Sequence, residues 1–364
     1  MGNLALTYLN QGRWKEAEEL EVQVMETWKQ MLGLEHYNTL ASMACLALIY
    51  WNQGRWKEAE KLNMQVIEIS KQVLGPEHPD ILTSMGNLAL SYKSQGRWKE
   101  AEELEVQLMG TRKQVLGPEH PSTLISMGNL ASTYLSLGRW KEAEKLDVQV
   151  IEISKQVLGP KHPDTLNTMG NLALSYKSQG RWKEAEELEI HLMETWKQVL
   201  GSEHPSTLIS RNNLASTYYC QGRWKEAEKL GVQVMEISKQ MLGLKHLTTL
   251  TSMSILASIY QGQKRWKEAE ELQVQVTEVS KKVLGPEHPY TLTSMHNLAY
   301  TLRFRDDIQA AIALMDECVE LRYKVLGPEH ADYVSSSDAL RTWKAEIPVR
   351  GAKRQAFMNF FRKR

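Results

Sequence analysis

Three sets of residues carry groups capable of chemistry, and their spacing limits what each can do. Histidines recur at His36, His78, His120, His162, His204, His246, His288 and His330, a series that invites a metal reading. Zinc needs its ligand nitrogens about 2 Å away, whereas packed helices stand roughly 8 to 10 Å apart, so matching residues of successive units cannot share an ion. The series is therefore read as loop residues that bond the unpaired groups at helix ends. His191 and His296 stand outside it, without the carboxylate and nucleophile pattern that catalysis needs. A second set, the repeated Lys-Glu-Ala-Glu, places carboxylates in the first turn of a helix, where negative charge offsets the helix dipole. The third, Cys45, Cys220 and Cys318, is too widely spaced for a disulfide framework or a CxxC site. HExxH, GxSxG and phosphate-loop patterns do not occur. The sequence thus predicts no catalytic residue, no metal, no cofactor and no enzymatic activity.

Bulk properties agree with a folded soluble chain. Of 364 residues 42% are hydrophobic, and 44 basic side chains balance 44 acidic ones, so no global field steers the chain to nucleic acid or to an anionic membrane. The start, Met1-Gly2-Asn3-Leu4-Ala5-Leu6, lacks a basic segment followed by a long apolar one, and no later run approaches the ~20 apolar residues of a membrane span. With sparse cysteines and no Asn-x-Ser/Thr sequon, a cytoplasmic location is expected.

The elements that position these residues follow from a repeat. Gly-Arg-Trp begins at Gly12, Gly54, Gly96, Gly138, Gly180 and Gly222, always 42 residues apart. The next unit keeps Arg265-Trp266 after Lys264, and the last has Asp306-Asp307-Ile308 in that register. Leu-Gly-x-Glu/Lys-His keeps the same period, with glycines from Gly33 to Gly327. An inserted residue would rotate every later helical side chain by about 100°, so constant length marks each unit as one packed brick. Within a unit Pro79-Asp80 starts a helix A, whose stripe is Leu82, Met85, Leu88, Ala89 and Tyr92, and Gly96 closes it. Trp98, Ala101, Leu104, Leu108, Val115 and Leu116 form the stripe of a longer helix B, ended by Gly117-Pro118. One such pair cannot bury its stripe alone, so pairs must stack. Trp14, Trp56, Trp98, Trp140, Trp182, Trp224 and Trp266 are expected to wedge between neighbouring helices, with Trp140→Ala costing roughly 3 to 5 kcal/mol. Alternation of Glu19, Glu103, Glu187 and Glu271 with Lys61, Lys145 and Lys229 suggests that units were copied in pairs.

Leu88-Ala89-x-x-Tyr92, Gly96, Trp98 and Ala101 resemble the tetratricopeptide (TPR) signature, and Leu116-Gly117-Pro118-Glu119-His120-Pro121 with the 42-residue period resembles its kinesin light chain subclass. The resemblance covers residues 1 to about 330. Near-identical Gly-Arg-Trp-Lys-Glu-Ala-Glu units are also similar to C-terminal arrays of fungal nucleotide-binding NB-ARC proteins. It implies an all-α, right-handed superhelical solenoid of antiparallel helix pairs, about eight repeats. Neither a heptad segment before the array nor a phosphate loop is present. Met1 falls in the register of Met43, Met85, Met127 and Met169, so residues 1–346 are read as an array with a truncated first repeat. Residues 331–346 then form a capping helix and 347–364 a basic, aromatic tail.

In the family resembled, helices A line a concave groove. Carried onto this sequence, that face holds Asn3, Asn87, Asn129, Asn171, Asn213 and Asn297, with Lys93, Lys177 and Arg303 beside them. An asparagine ladder can satisfy the backbone of an extended peptide; the same amides can instead bond a neighbouring repeat across the stack. The cations would favour an acidic ligand. The tail, with Arg350, Lys353, Arg354, Arg362, Lys363 and Arg364 among Phe357, Phe360 and Phe361, is either a targeting segment or an unstructured end. The function implied is a scaffold or cargo adaptor binding a peptide or protein segment. The alternative is the ligand-sensing C-terminal part of an NB-ARC switch protein.

Overall fold

The computed structural model describes the backbone of residues 2–10 and 13–362, and leaves the side chains of residues 2, 3, 6, 10 and 347–362 undescribed. Asn3 and the charged and aromatic side chains of the tail therefore lie outside the described residues. Among the described residues every regular element is a helix.

The A helices are α1 (Gly2–Asn10), α3 (Tyr37–Asn52), α5 (Pro79–Ser94), α7 (Pro121–Ser136), α9 (Pro163–Ser178), α11 (Pro205–Cys220), α13 (Leu247–Gly262), α15 (Pro289–Phe304) and α17 (Ala331–Arg362). The B helices between them are α2 (Trp14–Leu32), α4 (Trp56–Leu74), α6 (Trp98–Val115), α8 (Trp140–Val157), α10 (Trp182–Leu200), α12 (Trp224–Leu242), α14 (Trp266–Val283) and α16 (Ile308–Leu326). Two compact units result, Met1–Gln221 with α1 to α11 and Gly222–Arg364 with α12 to α17. In each, every helix packs on the next in the chain.

Local chemistry sets the boundaries. In all eight A helices from α3 on, the Nδ1 of the preceding histidine accepts the backbone N–H two residues later, as at His120 and Ser122 (3.1 Å). The periodic histidines thus cap helices, satisfying one of the orphan amides at each start. Gly96 leaves helix A at φ 74°, in the left-handed region where a side chain is strained. Lys264 (φ 63°) and Asp306 (φ 69°) keep that geometry in the last two units despite their Cβ atoms.

The stripes read from the sequence are buried together except at the end of helix B, where Val115 is 42% exposed and Leu116 only partly buried. Ile81, Leu82, Met85, Leu88 and Leu108 form one cluster with Tyr92 and Leu104 against it, and Leu166, Met169, Leu172, Leu192 and Trp196 form its equivalent two repeats on. The tryptophans that open the B helices are not part of this core. Trp140 is 42% exposed and Trp224 37%, and the other five are partly exposed. Trp266 lies at the surface against the end of the next A helix, stacked on the exposed Phe304, the last residue of α15, with centroids 4.9 Å apart. At 42% exposed, Trp140 has less to lose on truncation than a fully buried aromatic, so a cost below roughly 3 to 5 kcal/mol is expected for Trp140→Ala.

The arginine of Gly-Arg-Trp has a role that the sequence did not disclose. Arg97 lies over the Tyr92 ring at 4.2 Å, bonds Glu100 three residues on, and pairs with Glu60 of the previous repeat at 2.8 Å. Arg55 with Glu18, Arg139 with Glu102, Arg181 with Glu144 and Arg265 with Glu228 repeat that bond. The carboxylates of Lys-Glu-Ala-Glu therefore serve twice, within the first turn and as inter-repeat clamps.

Candidate functional site

The face carried by α7, α9 and α11 holds two adjoining clefts inside the first unit. The first, of about 170 Å³, lies between α7 and α9 over α8 and is bordered by Ile125, Gly128, Asn129, Ser154, Asp164 and Asn171. The second, of about 290 Å³, lies between α9 and α11 over α10 and is bordered by Gly170, Asn171, Trp196, Ile209, Ser210 and Asn213. Asn167 and Asn171, four residues apart on one face of α9, border both. Three asparagines assigned to the groove are thus brought to one continuous surface. Asn87 and Asn297 are partly exposed on α5 and α15.

The side-chain amides of Asn87, Asn129, Asn171, Asn213 and Asn297 make no hydrogen bond among the described residues, and only the backbone carbonyls of some of them accept one. The alternative role, bonding across the stack, is therefore not what these amides do. Their donors and acceptors face solvent.

The cations read as groove charges are bound internally. Lys93 Nζ is 3.7 Å from Glu105 and donates to the Asn129 carbonyl, and Lys177 Nζ is 3.5 Å from Glu189. Arg303 pairs with Glu346. Glu105 and Glu189 are buried in helix B, each accepting a second bond from a threonine of the next repeat, Thr133 and Thr217, at 2.6 Å. Burial raises the pKa of both carboxyls despite the nearby ammonium, and burial lowers that of Lys93. Charge already matched in a low-dielectric site offers little to an acidic ligand, so the preference read from Lys93, Lys177 and Arg303 is not supported by the geometry.

The buried polar position of helix B is the feature that sequence reasoning missed. Its occupants are Glu21, Asn63, Glu105, Asp147, Glu189, Gly231, Gln273 and Met315, spaced by the repeat. Glu21 and Asp147 have no matching lysine, Leu9 and Leu135 standing where Lys93 and Lys177 do. Asp147 is 1% exposed, and its Oδ1 finds no partner. Burial pushes its carboxyl up to about 7. The unit period would have revealed the position, had each column been read for charge as well as for apolarity.

His296 also gains neighbours the sequence hid. Its Nδ1 is 2.8 Å from Ser336 Oγ, and Arg322 donates to that hydroxyl at 2.6 Å and to the Asp332 carbonyl at 2.7 Å. Ser336 is fully buried and Arg322 nearly so. The cluster ties α16 to α17. Among the described residues no group of three His, Cys, Asp or Glu side chains is placed to hold a metal, and no helix is long and apolar enough to cross a membrane.

Comparison with known proteins follows the same lines. No curated protein matches the sequence. A solved Podosopora anserina putative kinesin light chain with nearly identical TPR-like repeats is 37% identical over 57% of this chain and 98% of its own, with a TM-score of 0.47. NprR in complex with its cognate peptide NprX is 16% identical over 94% of this chain and 97% of its own, at a TM-score of 0.58. A Rap protein complexed with Competence and Sporulation Factor is 12% identical over 95% and 97%, at 0.57. The last two share the fold. Tetratricopeptide repeat models match residues 1–38, 39–114, 107–156, 129–190, 178–240 and 248–324. With helix pairs, left-handed glycine caps and a repeated Ala-centred core over the same residues, the chain belongs to the tetratricopeptide repeat family.

Proposed function

We propose that the chain is a protein-interaction scaffold, used in the manner of a cargo adaptor, that holds an extended segment of another protein along α7, α9 and α11. The observation that carries this reading is the set of unpartnered amides of Asn129, Asn171 and Asn213 on the borders of two adjoining clefts. Each amide offers two donors and an acceptor, the complement of a peptide backbone. Nothing in that arrangement fixes side-chain identity, so the amides supply a backbone grip and the clefts the selection. A fold shared with NprR, which was solved with its cognate peptide, is compatible with that use.

The test is a pair of pull-downs with the native chain and an Asn129→Ala/Asn171→Ala/Asn213→Ala variant, beside circular dichroism melts of both. The variant is expected to lose about tenfold or more of its partner binding, as removal of several central contacts does, with its melt unchanged. Equal recovery of partners, or a collapsed melt, contradicts the reading.

A further inference from the structure

The lining of the two clefts says what they can hold. Gly128 borders the first and Gly170 the second. Both sit in helix interiors, where glycine is disfavoured relative to alanine. Neither is forced by crowding: an added Cβ at Gly170 meets nothing within 4 Å, and at Gly128 only Thr168 Oγ1 at 4.0 Å. Glycine also stands there at Gly2 and Gly86, while Ala44, Asn212, Ser254 and His296 show that the register accepts larger residues. The glycines thus open space that the fold does not need.

Largely buried serines whose hydroxyls make no hydrogen bond among the described residues lie on the same borders. Ser210 borders the second cleft, is 6% exposed, and its Oγ finds no hydrogen bond. Ser154 borders the first cleft, is 1% exposed, and its hydroxyl makes no hydrogen bond among the described residues. Unsatisfied buried polar groups are costly and rare, and here an entering group can satisfy them. Aliphatic lips accompany them, with Ile125 46% and Ile209 49% exposed.

Charge selects the occupant. No lysine or arginine borders either cleft, whereas Asp164 borders the first and Glu189 the second, and the nearby ammonium of Lys177 is already engaged by Glu189. With Glu189 matched by Lys177, Asp164 is the uncompensated charge on the borders, and no cation there favours an acidic segment. We infer that the α7 to α11 face is a two-anchor site for an extended, non-acidic peptide segment that sets one aliphatic side chain into each cleft. Successive A helices stand about 10 Å apart and an extended chain advances about 3.3 Å per residue, so the anchors fall about three residues apart. This inference rests on the groove reading above and adds a register and a charge preference to it.

Selection from a display library of random peptides on the full chain tests it. Enriched peptides are expected to carry two aliphatic residues about three positions apart and no net negative charge. A Gly128→Leu/Gly170→Leu variant, which plugs both clefts, is expected to lose about tenfold or more of their affinity. An Ile125→Ser/Ile209→Ser variant, altered only at exposed positions, is expected to lose affinity likewise and serves if the plugged variant fails to fold. Enrichment of acidic peptides overturns the inference. So does binding that survives both variants yet disappears with the three asparagines, an outcome that leaves the groove standing. Binding indifferent to the asparagines as well, or no enrichment at all, removes the groove reading together with the inference.

Discussion

At pH 8, Asp147→Asn is expected to stabilise the chain by roughly 2 to 4 kcal/mol, and near pH 4 to change its stability little. Asp147 is buried, has no cation beside it, and titrates at about 7 in the folded chain against an ordinary 3.8. Between those two values the unfolded chain has released the proton while the folded chain retains it. The native state therefore binds more protons, and stability falls as pH rises from about 4 to about 7, the full penalty remaining above that. Asparagine removes the ionisation and has a precedent at the same register in Asn63, which is also buried. Melts of both proteins at the two pH values check this. A gain equal at pH 4 and pH 8, or a loss at pH 8, would contradict it.

The second large effect concerns the cation that sequence reasoning placed in the groove. Lys177→Gln is expected to cost about 3 kcal/mol, because Glu189 is left charged and buried without its counterion. Adding Glu189→Gln is expected to restore most of that loss. The seventh repeat already contains the neutral version, in which Gln261 Nε2 donates to Thr301 Oγ1 at 2.6 Å and Thr301 donates to Gln273. Urea unfolding of the single and double variants separates a structural ion pair from a groove charge. Equal stability of native chain and single variant would mean that the ammonium is not needed by Glu189.

The architecture was legible because it is written in backbone chemistry. Gly96 and its equivalents mark a left-handed residue, Pro79 a first helical turn, and His120 an acceptor at a helix start, and each acts within a few residues of itself. The asparagine face was legible for a similar reason, since a fixed period keeps one column on one face. Partners were less legible, because a side chain's use depends on its counterpart in another helix. Trp140 reads as core from its size, yet on the first residue of α8 it stays 42% exposed. Lys177 reads as surface from its charge, yet Glu189 twelve residues later draws it inward. The pairing of Arg97 with Glu60 spans 37 residues and appears only when two repeats are packed together. The clefts were legible only as small residues beside the asparagine column, which let a ligand approach closely; that Gly128 and Gly170 border empty space shows only in the structure.

The groove claim is tested most directly by site-specific cross-linking. A benzophenone amino acid placed at Asn171, between the two clefts, is compared with one at Val106, which is exposed on helix B of the same unit. Both chains are exposed to the same cell extract and irradiated. The account predicts discrete cross-linked partners from position 171 that competing selected peptide removes, and none of these from position 106. Partners captured from position 106 alone, or from position 171 without competition by the peptide, would contradict it.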